Sequence, residues 1–173
     1  MSASYSAALP IARVVLRIAI VLNWLLAIAI LVLLFVMPHE RWLMTIFKLT
    51  PSPEATRIVW GMRGIAAIGL VTIPLYHLIL TRLLAMVDTV RAGDPFVLAN
   101  AARLQTIAWI LVGLQVCGLV IAIIVRMISS LEHPVNISAG PSVAGLLAIL
   151  LTFVLARVFA EGARMRDDLE GTV

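Results

Sequence analysis

The sequence predicts an all-α, polytopic membrane protein: a bundle of four transmembrane helices with cytoplasmic helix extensions. Of its 173 residues, 62% are hydrophobic and only 13% are charged, whereas a soluble domain is about half apolar and about a quarter charged. Four apolar stretches approach the ~20 residues that a helix needs to cross ~30 Å of hydrocarbon. Because lipid offers the backbone no hydrogen-bond partners, each stretch is expected to be helical.

The spans are expected to form a single membrane domain, residues 1–173. They cover residues 18–37, 64–80, 107–125 and 143–160. Pro38 ends the first span. In the outer loop that follows, residues 39–49, apolar side chains recur at helical spacing, which predicts a short helix in the outer membrane interface. Residues 161–173 are expected to form a charged cytoplasmic tail.

The loop between the second and third spans is predicted to be a tight helical hairpin. Helical character continues past the second span, so the second helix is expected to run from about Ile58 to Arg91. Such a helix is roughly 50 Å long, against ~30 Å of hydrocarbon, so it would project into the cytoplasm. Gly93 is a natural C-terminal stop, Asp94 a good N-cap and Pro95 a good first residue of the third helix. A plain hairpin that only connects two spans is the alternative.

Basic residues indicate the orientation in the membrane. Eight lie in the N-terminal segment, the second loop and the C-terminal end: Arg13, Arg17, Arg82, Arg91, Arg103, Arg157, Arg164 and Arg166. Four lie in the opposite loops: Arg41, Lys48, Arg57 and Arg126. The larger group is expected to face the cytoplasm, which places both termini inside a bacterial cytoplasmic (inner) membrane. The net charge of +4 then records topology, and direct binding to nucleic acid is not expected.

Several polar side chains lie within the predicted spans. Hydrogen bonds between helices are the expected role of Asn23, Thr72, Gln115 and Thr152. Arg63 and Arg157 lie near opposite interfaces and are expected to extend to lipid headgroups. For Arg157, pairing with Glu161 is the alternative. His77 is expected to be a buried histidine with a local partner.

The sequence contains no recognisable active site. It has no glycine-rich phosphate loop after a strand, and no nucleophile with a histidine and an acid in a known order. We therefore expect no enzyme activity and no cofactor. His39, Glu40, Glu132 and His133 fall on the predicted outer face and would suit zinc if the two loops touched. Their spacing is not that of a metal motif, so no metal site is predicted.

Two stretches carry a resemblance to a known family. In Val90–Trp109, a Gly-x-Pro-Phe pattern precedes Asn and Arg-Leu: Gly93, Pro95, Phe96, Asn100, Arg103 and Leu104. In Leu155–Val173, a Phe-x-x-Gly-x-x-Met pattern precedes an acidic stretch and Thr-Val: Phe159, Gly162, Met165, Asp167 to Glu170, Thr172 and Val173. With four spans in this order, the chain resembles the bacterial membrane family known as domain of unknown function 2975, from about Ile11 to the end.

The resemblance implies a membrane protein without an established activity, from a family often encoded beside a small helix-turn-helix (Cro/C1-type) regulator. It therefore implies a non-enzymatic membrane partner that holds or tunes a transcription factor. The expected contact residues are Arg91, Phe96, Asn100, Arg103, Arg164, Met165, Arg166, Asp167, Asp168 and Glu170. The competing function is a small transporter or channel subunit, with a path lined by Asn23, Arg63, His77 and Gln115, which would require a homo-oligomer.

Overall fold

The computed structural model describes residues 2–36, 53–129 and 140–170, which form four α-helices. The helices are α1 (Ser2–Val36), α2 (Pro53–Arg91), α3 (Leu98–Ile128) and α4 (Val143–Glu170), numbered here in chain order. The predicted interfacial helix at 39–49 and the residues weighed as metal ligands lie outside the described residues.

All four helices are long and apolar enough to cross a membrane, which confirms the all-helical, four-span prediction. They are longer than the predicted spans. α2 begins at Pro53 and not near Ile58, since proline suits the first turn of a helix, and it ends at Arg91 as predicted. Its 39 residues make a helix of roughly 58 Å, well beyond the ~30 Å of hydrocarbon.

The four predicted helices pack as an open antiparallel row. α1 packs on α2, α2 on α3 and α3 on α4. Within the described ranges, no Cα atom of α1 lies within 8 Å of α3 or α4, and none of α2 lies within 8 Å of α4. Lipid covers an apolar helix face as well as another helix does, so no hydrophobic driving force closes the row.

Two polar side chains join neighbouring helices as predicted. Asn23 Nδ2 on α1 donates a hydrogen bond to the carbonyl of Ile73 on α2 at 3.1 Å. Gln115 Nε2 on α3 donates to the carbonyl of Ser142, at the start of α4, at 3.2 Å. Each bond fixes one contact of the row.

Two threonines predicted to join helices do not do so. Thr72 donates to the carbonyl of Gly69 at 2.7 Å, and Thr152 donates to the carbonyl of Ala148 at 2.6 Å. Both acceptors belong to the threonine's own helix. The prediction is wrong for these residues because a short hydroxyl reaches the carbonyl one turn back more readily than a neighbouring helix.

The turn after α2 is a Schellman motif centred on Gly93. Gly93 has a φ of 84°, which confirms the predicted left-handed glycine. Its N–H donates to the carbonyl of Val90 at 3.1 Å, and the N–H of Asp94 donates to the carbonyl of Thr89 at 3.0 Å. These two bonds satisfy carbonyls that the end of α2 leaves without helical partners.

α3 begins later than the sequence predicts. Residues 94–97 are not helical, and Val97 precedes the helix with φ −115° and ψ 144° and no side-chain capping bond. The predicted N-cap at Asp94 and first helical residue at Pro95 are therefore wrong. The physical reason is that the Asp94 carboxylate is engaged elsewhere, in a salt bridge with Arg166 of α4.

We expect Gly93→Ala to lower the free energy of unfolding by about 1 kcal/mol, because an L-residue resists the left-handed conformation. A Cβ at Gly93 meets nothing within 4 Å, so the cost is conformational alone. The matched control is Gly113→Ala, inside α3, where a Cβ also meets nothing within 4 Å and alanine is favoured. Denaturation in detergent, followed by circular dichroism, compares the two variants. Equal stability changes would contradict the turn.

Candidate functional site

The two segments that carry the family resemblance meet at one end of the row. We call this the hairpin end, defined by the α2–α3 turn at residues 92–97 and the C-terminal turns of α4 at residues 159–170. Asp94 in the turn forms a salt bridge with Arg166 of α4. The ring of Phe96 packs against that of Phe159, with centroids 5.3 Å apart. One charged and one aromatic contact thus join the turn to α4.

Gly162 allows the Phe96 ring to lie against α4. A Cβ at position 162 would lie 2.8 Å from Cδ1 and 3.3 Å from Cε1 of Phe96. Any side chain there would push the ring away. Phe159 and Gly162 are three residues apart, so they share one face of α4 and hold the same ring. The Phe-x-x-Gly pattern therefore has a packing role.

Asn100 lies at the centre of the hairpin and is fully buried. Its Nδ2 donates hydrogen bonds to the carbonyl of Pro95 and to Oγ1 of Thr89, both at 2.8 Å. Its Oδ1 accepts one from Nη1 of Arg103 at 2.7 Å. The Thr89 hydroxyl donates in turn to the carbonyl of Met86 at 2.8 Å. Because a carbonyl only accepts and a guanidinium only donates, these partners fix the orientation of the amide.

This network gives two predicted contact residues a structural role. Asn100 has no exposed surface that a partner could touch. Arg103 is half-buried, and its Nη1 also approaches the carbonyl of Ala85 on α2 at 3.5 Å. Both side chains contact α2, Asn100 through Thr89 and Arg103 through Ala85, and so hold α3 against α2 next to the turn. They were expected to contact a partner because they belong to the family-type motif, whereas their polar atoms bond to the backbone and to each other.

The other predicted contact residues are distributed over the outside of the hairpin end. Arg91, Phe96, Arg164, Met165, Asp167 and Asp168 are exposed, and Arg166 is half-buried. The side chain of Glu170 lies outside the described residues. Glu161 lies 3.7 Å from Arg164. Charged side chains of both signs therefore surround the exposed apolar ones.

Two further exposed apolar residues, not expected from the sequence, lie at the same end of the row. Leu98 is 54% exposed at the start of α3, and Leu169 is 71% exposed near the end of α4. Their signal in the sequence is an apolar side chain on a helix extension outside the predicted span. We define the hairpin-end surface as Phe96, Leu98, Met165 and Leu169 with the charged residues around them.

The N-terminal part of α1 is tied to the last turns of α2. Arg13 Nε lies 3.1 Å from Oδ1 of Asp88. In the sequence, Arg13 indicated only the topology. Asp88 is far from it along the chain, so no local pattern predicted their salt bridge. An apolar groove of about 430 Å³ lies between the two helices, lined by Leu9, Ala12, Val15, Leu16, Leu83, Met86, Val87 and Val90.

The polar residues proposed to line a transport path have different partners. His77 is half-buried, and its ring contacts that of Trp24 on α1, with centroids 5.4 Å apart, so its ring partner comes from the neighbouring helix. The guanidinium carbon of Arg63 lies 5.0 Å from the ring centroid of Trp60 on its own helix. Gln115 donates to the carbonyl of Ser142 at the start of α4, and it lines a cavity together with Tyr76 of α2.

Among the residues that the structure describes, no group of three or more His, Cys, Asp or Glu side chains is placed to hold a metal ion.

No curated protein matches the chain, and no solved structure matches it either. A family model described as "Protein of unknown function (DUF2975)" matches residues 37–173. The match covers well over half of the chain and includes both segments that meet at the hairpin end. The chain therefore belongs to the DUF2975 family.

Proposed function

We propose that this protein is a non-enzymatic regulatory membrane protein whose hairpin-end surface binds a small cytoplasmic helix-turn-helix regulator. The observation that carries the proposal is the joining of the two family segments. Asp94 pairs with Arg166, and Phe96 rests on Gly162. Residues far apart in the sequence thereby contribute to one surface.

The composition of this surface suits a soluble protein partner. Phe96 is 44% exposed and Met165 is 57% exposed, and both lie among charged side chains. Apolar anchors within a polar rim are typical of protein interfaces. The exposed carboxylates of Asp167 and Asp168 would be repelled by anionic lipid but attract a basic surface. DNA-binding domains carry such a basic surface.

The arrangement also suggests how binding is regulated. The surface is composite, since its parts come from the α2–α3 turn and from α4. A stimulus that displaced α4 from the turn would separate Phe96 from Phe159 and divide the surface. A regulator released in this way would become free to reach DNA, which is a two-state mechanism controlled by helix position.

The proposal requires the hairpin end and both termini to lie in the cytoplasm. Reporter fusions after Val173, and insertions within residues 92–94, should both report a cytoplasmic position. Insertions near Ser52 and near Asn136 should report the opposite side. This follows from the excess of arginine at the hairpin end. A C-terminus on the outer side would contradict both the orientation and the proposed partner.

Binding is tested by affinity purification from mild detergent, with the bound proteins identified by mass spectrometry. The full chain should retain a helix-turn-helix protein, and a chain lacking residues 164–173 should lose it. Met165→Glu should reduce retention about tenfold, because loss of an apolar anchor costs more than ~1 kcal/mol of binding. The matched control is Met127→Glu, since Met127 is 68% exposed at the opposite end of α3. Equal retention by all variants would refute the docking surface.

A further inference from the structure

A groove between α3 and α4 lies beside the predicted spans and has a mixed lining. Its volume is about 380 Å³. Each helix contributes one face, with lining residues spaced at i, i+3, i+4 and i+7. From α3 these are Leu98, Ala101, Ala102 and Gln105, and from α4 they are Phe153, Ala156, Arg157 and Ala160. The four alanines leave the space open, and the two polar side chains lie within it.

Arg157 is the only charged residue among the described lining residues. The alternative of pairing with Glu161 is not what the structure shows, because Glu161 lies 3.7 Å from Arg164. In the described part of the chain, Arg157 makes no hydrogen bond or ion pair. A positive charge in a groove without an acidic residue is suited to an anion.

The position of the groove relative to the membrane restricts the kind of anion. Gln105 lies just before the third predicted span, and Arg157 lies in the last turn of the fourth. The predicted spans therefore place both polar groups at the boundary between hydrocarbon and headgroups. On the hydrocarbon side, Phe153 packs edge-on against Trp109, with centroids 5.5 Å apart. Trp109 is 62% exposed, so this pair presents an apolar wall to the bilayer.

We infer that this groove binds an anionic phospholipid, with the headgroup phosphate held by Arg157 and Gln105. The guanidinium donates to the phosphate oxygens, and the Gln105 amide supplies a further donor. An acyl chain then extends along Phe153 and Trp109. Phosphatidylglycerol is favoured over zwitterionic phosphatidylcholine because no acidic side chain in the lining would compensate a choline. The groove shares Leu98 with the hairpin-end surface, but lipid binding there does not require the proposed regulator.

The first test measures lipid retained by the full chain, using native mass spectrometry with phosphatidylglycerol or phosphatidylcholine. Arg157→Gln should reduce retained phosphatidylglycerol roughly tenfold, because it removes a charge-assisted hydrogen bond to the phosphate, whereas Arg82→Gln should change it much less. The matched control is Arg82→Gln. Arg82 is exposed on α2. It lies at a depth similar to that of the groove, because Arg103 of α3 approaches the carbonyl of Ala85, which is one helical turn from Arg82. Equal losses in the two variants would show unspecific charge attraction and overturn the site.

A second variant keeps the charge and fills the groove. Ala102→Leu adds bulk at an exposed lining position and should lower phosphatidylglycerol retention while phosphatidylcholine retention stays unchanged. Retention equal to wild type would place the lipid elsewhere and overturn the inference.

Competition with glycerol phosphate distinguishes a lipid from a soluble phosphate. We expect no displacement, because the soluble compound lacks the acyl chain that packs on Phe153; displacement would refute a lipid site. Circular dichroism confirms that each variant is folded.

Discussion

Asn100→Leu is expected to lower the free energy of unfolding by about 3 kcal/mol, the largest effect of any single substitution considered for this protein. Each buried polar group that loses its partner costs ~1–3 kcal/mol. Leucine has the same branched skeleton of heavy atoms as asparagine, but it leaves three groups without their hydrogen bonds: the carbonyl of Pro95, the hydroxyl oxygen of Thr89 and Nη1 of Arg103. Asn100 is fully buried, so water does not replace the lost bonds.

The control for Asn100→Leu is Thr106→Val on the same helix. The Thr106 hydroxyl donates only one turn back, to the carbonyl of Ala102 at 2.8 Å, so its loss should change stability by less than ~0.5 kcal/mol. Asn100→Asp should give an intermediate loss, since it keeps the acceptor for Arg103 but loses both donors. Unfolding in detergent measures all three variants. If Asn100→Leu were as stable as Thr106→Val, the buried network would be wrong.

Features that depend on local sequence were predictable for this chain. Apolar length and the lack of charge predicted four membrane-crossing helices. Gly93 predicted the left-handed turn, because few other residues adopt a positive φ without strain. Asn23 and Gln115 were correctly predicted to join helices, since a long or branched amide in an apolar span needs a partner that its own helix does not supply.

Features that depend on which helices are neighbours were not predictable. Nothing in a span's composition distinguishes a lipid-facing side from a helix-facing side, so a closed bundle and an open row have the same sequence signal. Asp94 is a good N-cap by its position in the sequence, but an arginine far along the chain, Arg166, binds it. Thr72 and Thr152 show the opposite case: each was expected to bond to another helix, but each donates to a carbonyl one turn back on its own helix.

The candidate site was predictable in outline only. The family-type motifs predicted that the turn and the tail matter together, and the structure joins them. The sequence did not separate residues that build the surface from residues that are exposed on it. Asn100 lies inside the hairpin, whereas Leu98 and Leu169 lie on the surface. Whether a residue is buried depends on the helix that packs beside it. Asn100 is buried because α3 packs against α2 at this position, and a single sequence does not show which helix faces pack together.

Gly162→Val is expected to lower the free energy of unfolding by about 2 kcal/mol, a usual cost of adding bulk to a closely packed contact. A Cβ at this position would lie 2.8 Å from Cδ1 of Phe96, so the ring must shift relative to α4. Gly162→Ala should also destabilise, although alanine is ordinarily favoured over glycine within a helix. That reversed sign is specific to a glycine on which another side chain rests.

A double-mutant cycle with Phe96→Ala isolates this contact. When the Phe96 ring is absent, Gly162→Val should cost much less, because the added methyl groups then meet no aromatic ring. The two substitutions should therefore be non-additive by about 1 kcal/mol or more, as expected for residues in contact. Additive effects, within ~0.5 kcal/mol, would mean that Phe96 does not rest on α4. In that case only the salt bridge between Asp94 and Arg166 would join the turn to α4, and the composite docking site would lose one of its two supports.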